Sequence, residues 1–297
     1  MAEGGWKPQT VAKCAEAWYT GAKRRGVRAL EKLDIRRLVA AALALVTMLA
    51  LLLGVIPATK PVPDDPEPVP LPPLTANPYR PVDFVTDEQG YRICTAGKSV
   101  LGIDVSSHQG SVDWAQVKAA GIEFVMIRVG YRGYGTGEIR PDKLAAEHYA
   151  GARAAGLKVG AYFFSQAITV HEAAAEADYA LRAVRDWELE MPLVFDWEPM
   201  GSDTRTAGMD ARLLTDCARA FCRMVRREGY TPMVYFNLAL SRELLYLEEL
   251  TDFDWWLARY GEAMDFDYRV TMWQYTSKGR VPGIEGDVDL NIWFPEG

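Results

Sequence analysis

An uncharged run of nineteen residues, Leu38 to Ile56, stands out from the mixed pattern around it. A helix of this length rises about 1.5 Å per residue and spans the ~30 Å hydrocarbon core of a bilayer. The helices of globular domains are seldom apolar on every face over about five turns. The pattern therefore predicts a transmembrane helix at residues 38–56.

The residues before this run predict its orientation. Residues 1–37 contain nine Lys and Arg but only four Asp and Glu, and such a basic flank is typical of the cytoplasmic side. A cleaved signal peptide is the alternative. Its charged leader would be unusually long and no small-x-small cleavage site follows, so an uncleaved signal-anchor is favoured. We expect a single-pass protein of the cell membrane, with residues 1–37 as a cytoplasmic tail and the rest extracellular.

Ten prolines occur within residues 57–82. Such a segment cannot form a helix or a central strand and extends as polyproline II. The composition favours an extracellular linker that holds a domain away from the bilayer. A proline-rich recognition motif is the alternative interpretation.

From residue 83 onwards, short β-rich apolar runs alternate with amphipathic stretches. A β-hairpin leader is predicted within 83–99, with its turn at 87–90. Eight strands follow, at 100–105, 123–129, 157–164, 192–197, 231–236, 254–258, 270–275 and 286–290. Helical periodicity covers 113–120, 142–155, 171–186, 209–228 and 240–250. The alternation predicts an α/β fold with parallel strands, a TIM-like β/α barrel over residues 100–297. Because the last three strands are closely spaced, its second half should be irregular.

Charge and cysteine content exclude some classes of protein. The net charge is −7, and outside residues 1–37 there are 24 basic and 36 acidic residues, a net charge of −12. An acidic body argues against a nucleic-acid partner, which needs a basic surface. Four cysteines in 297 residues do not form a disulfide scaffold. No residue spacing indicates a metal site or a cofactor.

Acidic residues recur near the ends of the predicted strands, where the active sites of such barrels lie. Asp196 and Glu198 are two apart on the fourth strand and should share a face. Asp104 on the first strand and Asp289 on the eighth should be neighbours in a closed barrel. Four convergent acids with nearby Trp and Tyr are typical of glycoside cleavage. A divalent metal site is less favoured. The remaining alternative is that these acids are solvated at the strand ends and have no catalytic role.

At these residues the chain resembles glycoside hydrolase family 25, the Chalaropsis-type lysozymes. No single matching segment is specific, but the ordered set is. The matching segments are 102–110, 112–114, 124–134, 159–165, 195–198, 234–237, 256–258, 272–275 and 288–291.

The resemblance implies hydrolysis of the β-1,4 bond between N-acetylmuramic acid and N-acetylglucosamine in peptidoglycan, on a modified, irregular barrel. It implies that Glu198 is the general acid, that Asp196 is the assisting carboxylate, and that Asp104 and Asp289 are further acids of the pocket. The implied substrate-binding residues are Tyr162, Tyr235, Trp273, Gln274, Arg128 and His108. One departure concerns Arg128–Arg132, where many members have Lys-x-Ser/Thr-Glu-Gly.

Several alternatives remain open at this stage. Asp196 could act on a water, stabilise the developing cation, or orient the substrate's own 2-acetamido group. His108 could touch substrate or only bond to the backbone, and His148, on a predicted helix, is expected at the surface. The chain could also be a non-catalytic protein that binds peptidoglycan, or a hydrolase of another N-acetylated polysaccharide such as chitin.

Overall fold

The computed structural model describes Leu45 and residues 72–295. The predicted cytoplasmic tail, almost all of the predicted transmembrane span and most of the predicted linker lie outside these residues. Within the described part of the chain, no helix is both long enough and apolar enough to cross a membrane.

Eight strands close into a barrel within residues 72–295. In barrel order they are β3 (Val100–Val105), β4 (Phe124–Arg132), β6 (Lys158–Ser165), β7 (Leu193–Trp197), β8 (Pro232–Asn237), β9 (Asp254–Ala258), β10 (Met272–Gly279) and β11 (Val288–Trp293). Pairing between β3 and β4 closes the ring. Each strand overlaps one of the eight predicted apolar runs, which confirms the predicted α/β barrel.

The last strand departs from the predicted parallel arrangement. Strands β3 to β10 of the ring pair in parallel, but β11 is antiparallel to both β10 and β3. The connection from β10 to β11 covers only residues 280–287, and a parallel crossover needs about a dozen residues or more. A short unpredicted strand, β5 (Ile139–Pro141), also pairs antiparallel with the end of β4.

Five α-helices within the described residues cover the outside of the barrel: α1 (Trp114–Ala119), α2 (Ala145–Ala154), α3 (Val170–Ala183), α4 (Ala211–Arg227) and α5 (Leu238–Glu243). The side chains of Asp113, Thr169 and Asp210 cap three of them by accepting backbone N–H bonds. The helix predicted at 240–250 is instead α5 followed by a 3-10 turn, Leu247–Glu249. Residues 259–271 contain no helix, in line with the irregular second half that the spacing predicted.

Side chains alternate between two apolar cores along each strand. On β7, Phe195 and Trp197 pack outward beneath the helices, whereas Val194 points into the barrel. The interior floor is filled by large side chains such as Phe124, whose ring lies 2.3 Å from where a Cβ on Gly102 would be. Because this floor is packed, the pocket and the polar residues that line it lie above it, at the rim formed by the carboxyl ends of the parallel strands.

A leader hairpin, β1 (Phe84–Thr86) and β2 (Arg92–Cys94), precedes the barrel as predicted. Phe84 packs against the indole of Trp273, with ring centroids 4.9 Å apart. Contacts with the barrel begin even earlier, inside the range predicted as linker. The backbone N–H of Asn77 donates to the carbonyl of Asp267, and the ring of Tyr79 stacks on that of Phe294 with centroids 4.6 Å apart.

Candidate active site

A cavity of about 220 Å³ opens at the carboxyl rim of the barrel. The four predicted acids Asp104, Asp196, Glu198 and Asp289 all line it. Of the predicted substrate-binding residues, His108, Arg128, Tyr162, Tyr235 and Gln274 line it as well. The structure thus brings together nine of the ten residues that the sequence assigned to the site.

Trp273 is the exception, and its predicted place in the substrate groove is wrong. Its side chain is fully buried on the outside of β10, and its Nε1 donates to the carbonyl of Arg259 at 2.7 Å. Successive strand residues point to opposite faces. Because Gln274 points into the pocket, its neighbour Trp273 must point away from it.

Three aromatic residues that line the site were not assigned from the sequence: Phe164 on β6, Trp256 on β9 and Tyr260 just after β9. Trp256 is the inward-facing member of the pair Trp255-Trp256, since Trp255 packs in the outer core. Ser106 and Gln109 complete the lining. The alternation along β9 is the signal that could have identified Trp256.

Asp104 is held by two amide side chains at the base of the pocket. Its Oδ2 accepts hydrogen bonds from Nε2 of Gln274 and from Nδ2 of Asn291, both at 2.8 Å. Burial raises the pKa of Asp104 to about 6, while the two amide donors act in the opposite direction. The carboxylate is therefore ionised near neutral pH and fixed in position.

The orientation of both amides is set by a second layer of donors. The indole N–H of Trp256, which can only donate, bonds to Oδ1 of Asn291 at 2.8 Å. The hydroxyl groups of Tyr235 and Tyr260 bond to Oε1 of Gln274 at 3.2 and 3.1 Å. With their oxygens engaged in this way, both amides present N–H groups to Asp104.

Asp196 is buried, and its Oδ1 has no hydrogen-bond partner within the described structure. Burial raises the pKa of Asp196 well above its ordinary value, and the nearby charges of Glu198 and Asp104 add to the rise. Native proteins rarely leave a buried polar atom unpaired. Because Asp196 lines the pocket, its carboxyl group also lies within reach of a ligand bound there.

Glu198 lies nearer the mouth of the pocket and is half-buried. Burial, together with the charge of Asp104, raises the pKa of Glu198 to about 7. Its backbone carbonyl accepts a hydrogen bond from Nε2 of Gln166 at 2.7 Å, which fixes the residue at the end of β7. A carboxyl group with a pKa near neutral suits a general acid.

Arg128, at the departure from the family pattern, is paired with Asp142. Its guanidinium contacts Oδ2 of Asp142 at 2.8 Å, and the same carboxylate accepts the backbone N–H groups of Ser107 and Leu144. Burial opposes ionisation, but these hydrogen bonds and the Arg128 charge hold the pKa of Asp142 below its ordinary value. The pair thereby ties β4 to the loop that follows β3.

The two histidines near this loop differ in exposure. His108 is exposed and lines the pocket. The expectation that His148 lies at the surface is wrong: it is fully buried, with its Nε2 3.2 Å from the carbonyl of Ser106. Burial lowers the pKa of His148, so the ring is neutral. Helical periodicity did not reveal that α2 turns this residue towards the β3 loop.

Comparison with known proteins assigns the chain to a family. The family model for glycosyl hydrolases family 25 matches residues 103–284, more than half of the chain. The chain belongs to this family.

Among characterised sequences, the chain is similar to the autolytic lysozyme of Clostridium acetobutylicum, with 29% identity over 197 residues, 66% of this chain and 56% of that protein. It is also similar to lysozyme M1 of Streptomyces globisporus, with 29% identity over 65% of this chain and 67% of that protein. The crystal structure of the bacterial lysozyme from Streptomyces coelicolor aligns with a TM-score of 0.52 and 26% identity, over 67% of this chain and 93% of that one. The chain thus spans little more than half the length of the clostridial relative.

Proposed function

We propose that this protein is a membrane-tethered N-acetylmuramidase that hydrolyses the β-1,4 bond between N-acetylmuramic acid and N-acetylglucosamine in peptidoglycan. The observation that carries the proposal is the pairing of Glu198, whose pKa is raised to about 7, with the buried and unpartnered Asp196 in one rim pocket. Membership of glycosyl hydrolases family 25 and the similarity to two proteins named lysozymes support the same substrate.

In the proposed reaction, Glu198 donates its proton to the glycosidic oxygen. The bond from that oxygen to the anomeric carbon breaks, its electron pair stays on the oxygen, and positive charge develops on the sugar that remains in the pocket. Asp104, held ionised by Gln274 and Asn291, stabilises this charge. Water then attacks the anomeric carbon and gives a proton to the Glu198 carboxylate, which restores the acid form of Glu198.

Asp196 assists through the substrate's 2-acetamido group. Its carboxyl group, which lines the pocket, accepts a hydrogen bond from the acetamido N–H, which turns the acetamido carbonyl oxygen towards the anomeric carbon. That oxygen then acts as an internal nucleophile, and no covalent bond to the protein is needed. Both sugars of peptidoglycan carry this group, so the arrangement suits an N-acetylated substrate.

The location of the protein is part of the proposal. The uncharged run 38–56 with the basic residues 1–37 before it supports a single membrane span with a cytoplasmic N-terminus. The proline-rich segment would then hold the barrel at the cell surface, in reach of the wall. The tethered enzyme would act in wall remodelling or lysis.

The direct test is the release of reducing ends from purified peptidoglycan by the full chain in detergent. The Glu198→Gln variant should lose about a hundredfold to ten-thousandfold in rate, the usual contribution of a general acid. Glu123→Gln, an exposed glutamate just before β4 at the opposite rim, is the matched control and should keep the wild-type rate. Equal rates for Glu198→Gln and wild type would overturn the proposal. Binding to the wall without release would favour a non-catalytic role, and faster turnover of chitin would favour another substrate.

A further inference from the structure

A second cavity of about 780 Å³ adjoins the acid pocket. The two cavities share the side chains of His108, Arg128, Phe164 and Glu198 as lining. The second one runs between the β4–β5 hairpin and the loop that follows β7. We refer to it below as the hairpin groove.

Exposed apolar side chains stand on the two sides of the hairpin groove. Tyr134, near the tip of the β4–β5 hairpin, is 55% exposed, and Met200, in the loop after β7, is 44% exposed. Tyr131 lies deeper, with the guanidinium of Arg128 5.3 Å from its ring centroid. Flat apolar faces beside hydroxyl groups such as those of Ser107 and Thr136 are suited to pyranose rings.

The backbone that carries Tyr134 is held firmly although its side chain is exposed. The carbonyl of Tyr134 accepts the backbone N–H of Arg205 at 3.2 Å, and the carbonyl of Gly137 accepts Nη1 of Arg132 at 2.6 Å. Arg132 is itself bound to the buried carboxylate of Glu176. The backbone that carries the Tyr134 ring is therefore preorganised, which reduces the conformational entropy lost when a ligand binds.

The position of Glu198 assigns the two cavities to the two halves of a substrate. A general acid must touch the oxygen that joins two sugars, and Glu198 forms part of the wall of both cavities. Asp104, Asp196 and Asp289 line only the smaller cavity, which therefore takes the sugar that becomes positively charged. The leaving sugar falls on the other side of Glu198.

Charge pairing in the hairpin groove favours a neutral ligand over an acidic one. Its three arginines all have carboxylate partners: Arg128 pairs with Asp142, Arg132 with Glu176, and Arg140 with Glu138. Their charges are thus largely balanced within the protein. The glycan strand fits this groove better than the acidic peptide that branches from it.

We propose that the hairpin groove binds the leaving half of the glycan, that is, N-acetylglucosamine and the sugars beyond it towards the reducing end, and that Tyr134 is the platform for one of these rings. The inference rests on the proposed muramidase activity and adds its leaving-group specificity. A groove more than three times the volume of the acid pocket has room for more than one such sugar.

The test compares kcat/KM of the full chain on peptide-free glycan oligomers of increasing length. For wild type, kcat/KM should rise as sugars are added on the reducing-end side. Tyr134→Ala should lose about three- to tenfold on the longer oligomers, mostly through KM, as expected for one aromatic contact. Tyr134→Phe should recover most of this loss. Tyr246→Ala removes an exposed tyrosine outside both cavities and should match wild type.

Two results would overturn the inference while leaving the muramidase proposal intact. One is an unchanged kcat/KM for Tyr134→Ala on long oligomers. The other is a loss confined to peptide-bearing substrate, which would assign the groove to the peptide.

If wild type releases no reducing ends at all, the muramidase proposal fails instead. Oligomer affinity can then be compared between Glu198→Gln and Glu198→Gln/Tyr134→Ala, and equal affinities would overturn the inference as well.

Discussion

Asp289 lies directly opposite Asp104 in the antiparallel pairing of β11 with β3. Opposite residues of such a pair project from the same face of the sheet, so both carboxyl groups line the pocket. Burial, with the charges of Asp104 and Glu198, raises the pKa of Asp289 to about 8. The reversed direction of β11 is what brings Asp289, near the start of its strand, to the rim formed by the ends of the others.

The pH profile of kcat/KM should be bell-shaped with its maximum between about 6 and 7. Activity requires ionised Asp104, whose pKa is about 6, and protonated Glu198, whose pKa is about 7. The rate therefore falls below pH 6 as Asp104 gains a proton, and above pH 7 as Glu198 loses its own. Initial rates on soluble glycan across pH 4–9 measure both limbs. A rate that keeps rising above pH 8 would contradict these roles.

Replacing Asp104 by Asn should move the alkaline limb to lower pH. The Asp104 charge is one of the two causes that raise the pKa of Glu198, and burial is the other. Without that charge Glu198 loses its proton more readily, so the residual activity declines at a lower pH. Asp287→Asn, an exposed carboxylate paired with Arg280, is the control and should leave the limb in place. An unmoved limb in Asp104→Asn would show that the two groups do not interact.

Asp196→Asn should stabilise the fold at neutral pH. The folded-state pKa of Asp196 lies well above its unfolded value, so the wild-type carboxyl is most compatible with the fold below pH 4 and becomes less so as pH rises. The uncharged amide avoids this cost. We expect Tm to rise by about 3 °C or more at pH 8, on the scale of ~1 kcal/mol.

The same comparison at pH 4 serves as the control for Asp196→Asn. There the carboxyl is protonated in the folded state and about half protonated in the unfolded chain, so the Tm difference should be much smaller than at pH 8. A gain in Tm of the same size at both pH values would mean that the effect comes from packing and not from charge. Differential scanning calorimetry of the full chain gives both values.

Trp256→Phe should lower kcat/KM by about tenfold and shift the acidic limb upward. Without its indole N–H, Oδ1 of Asn291 is no longer engaged, and the amide is free to turn away from Asp104. Asp104 then loses a hydrogen bond that favours its ionised form, so its pKa rises. The acidic limb of the pH profile reports this change.

Trp255→Phe is the matched control for Trp256→Phe. The two residues are adjacent on β9 and both buried, but the indole of Trp255 donates to the carbonyl of Leu250 outside the barrel. The Trp255→Phe variant should have a lower free energy of unfolding but no shift of the acidic limb of its pH profile. Equal shifts in the two variants would indicate a general loosening of β9 and no specific positioning of Asn291.

The strands and the four acids could be predicted from sequence because both follow from local alternation. Asp196 and Glu198 are two apart on a strand with a buried apolar face, and this spacing is enough to place them together. The same rule shows why Trp273 was assigned wrongly, since Trp273 and Gln274 are adjacent and cannot both face the pocket. A consistent use of the alternation would have replaced Trp273 by Trp256.

Other features depend on contacts that no local pattern contains. The burial of His148 follows from how α2 packs over the loop after β3, and the pairing of Arg128 with Asp142 joins residues of two different elements. The β4–β5 hairpin is fixed by Arg132 and Arg205, whose partners lie far away in sequence. The antiparallel direction of β11 could have been predicted from the sequence, since the short 280–287 connection leaves no room for a crossover helix.

The most direct test of the central claim is mass spectrometry of the fragments that the full chain releases from purified peptidoglycan. The account predicts fragments that end in reducing N-acetylmuramic acid, formed by wild type and Glu123→Gln but not by Glu198→Gln. Fragments that end in reducing N-acetylglucosamine, or the same products from Glu198→Gln, would contradict it.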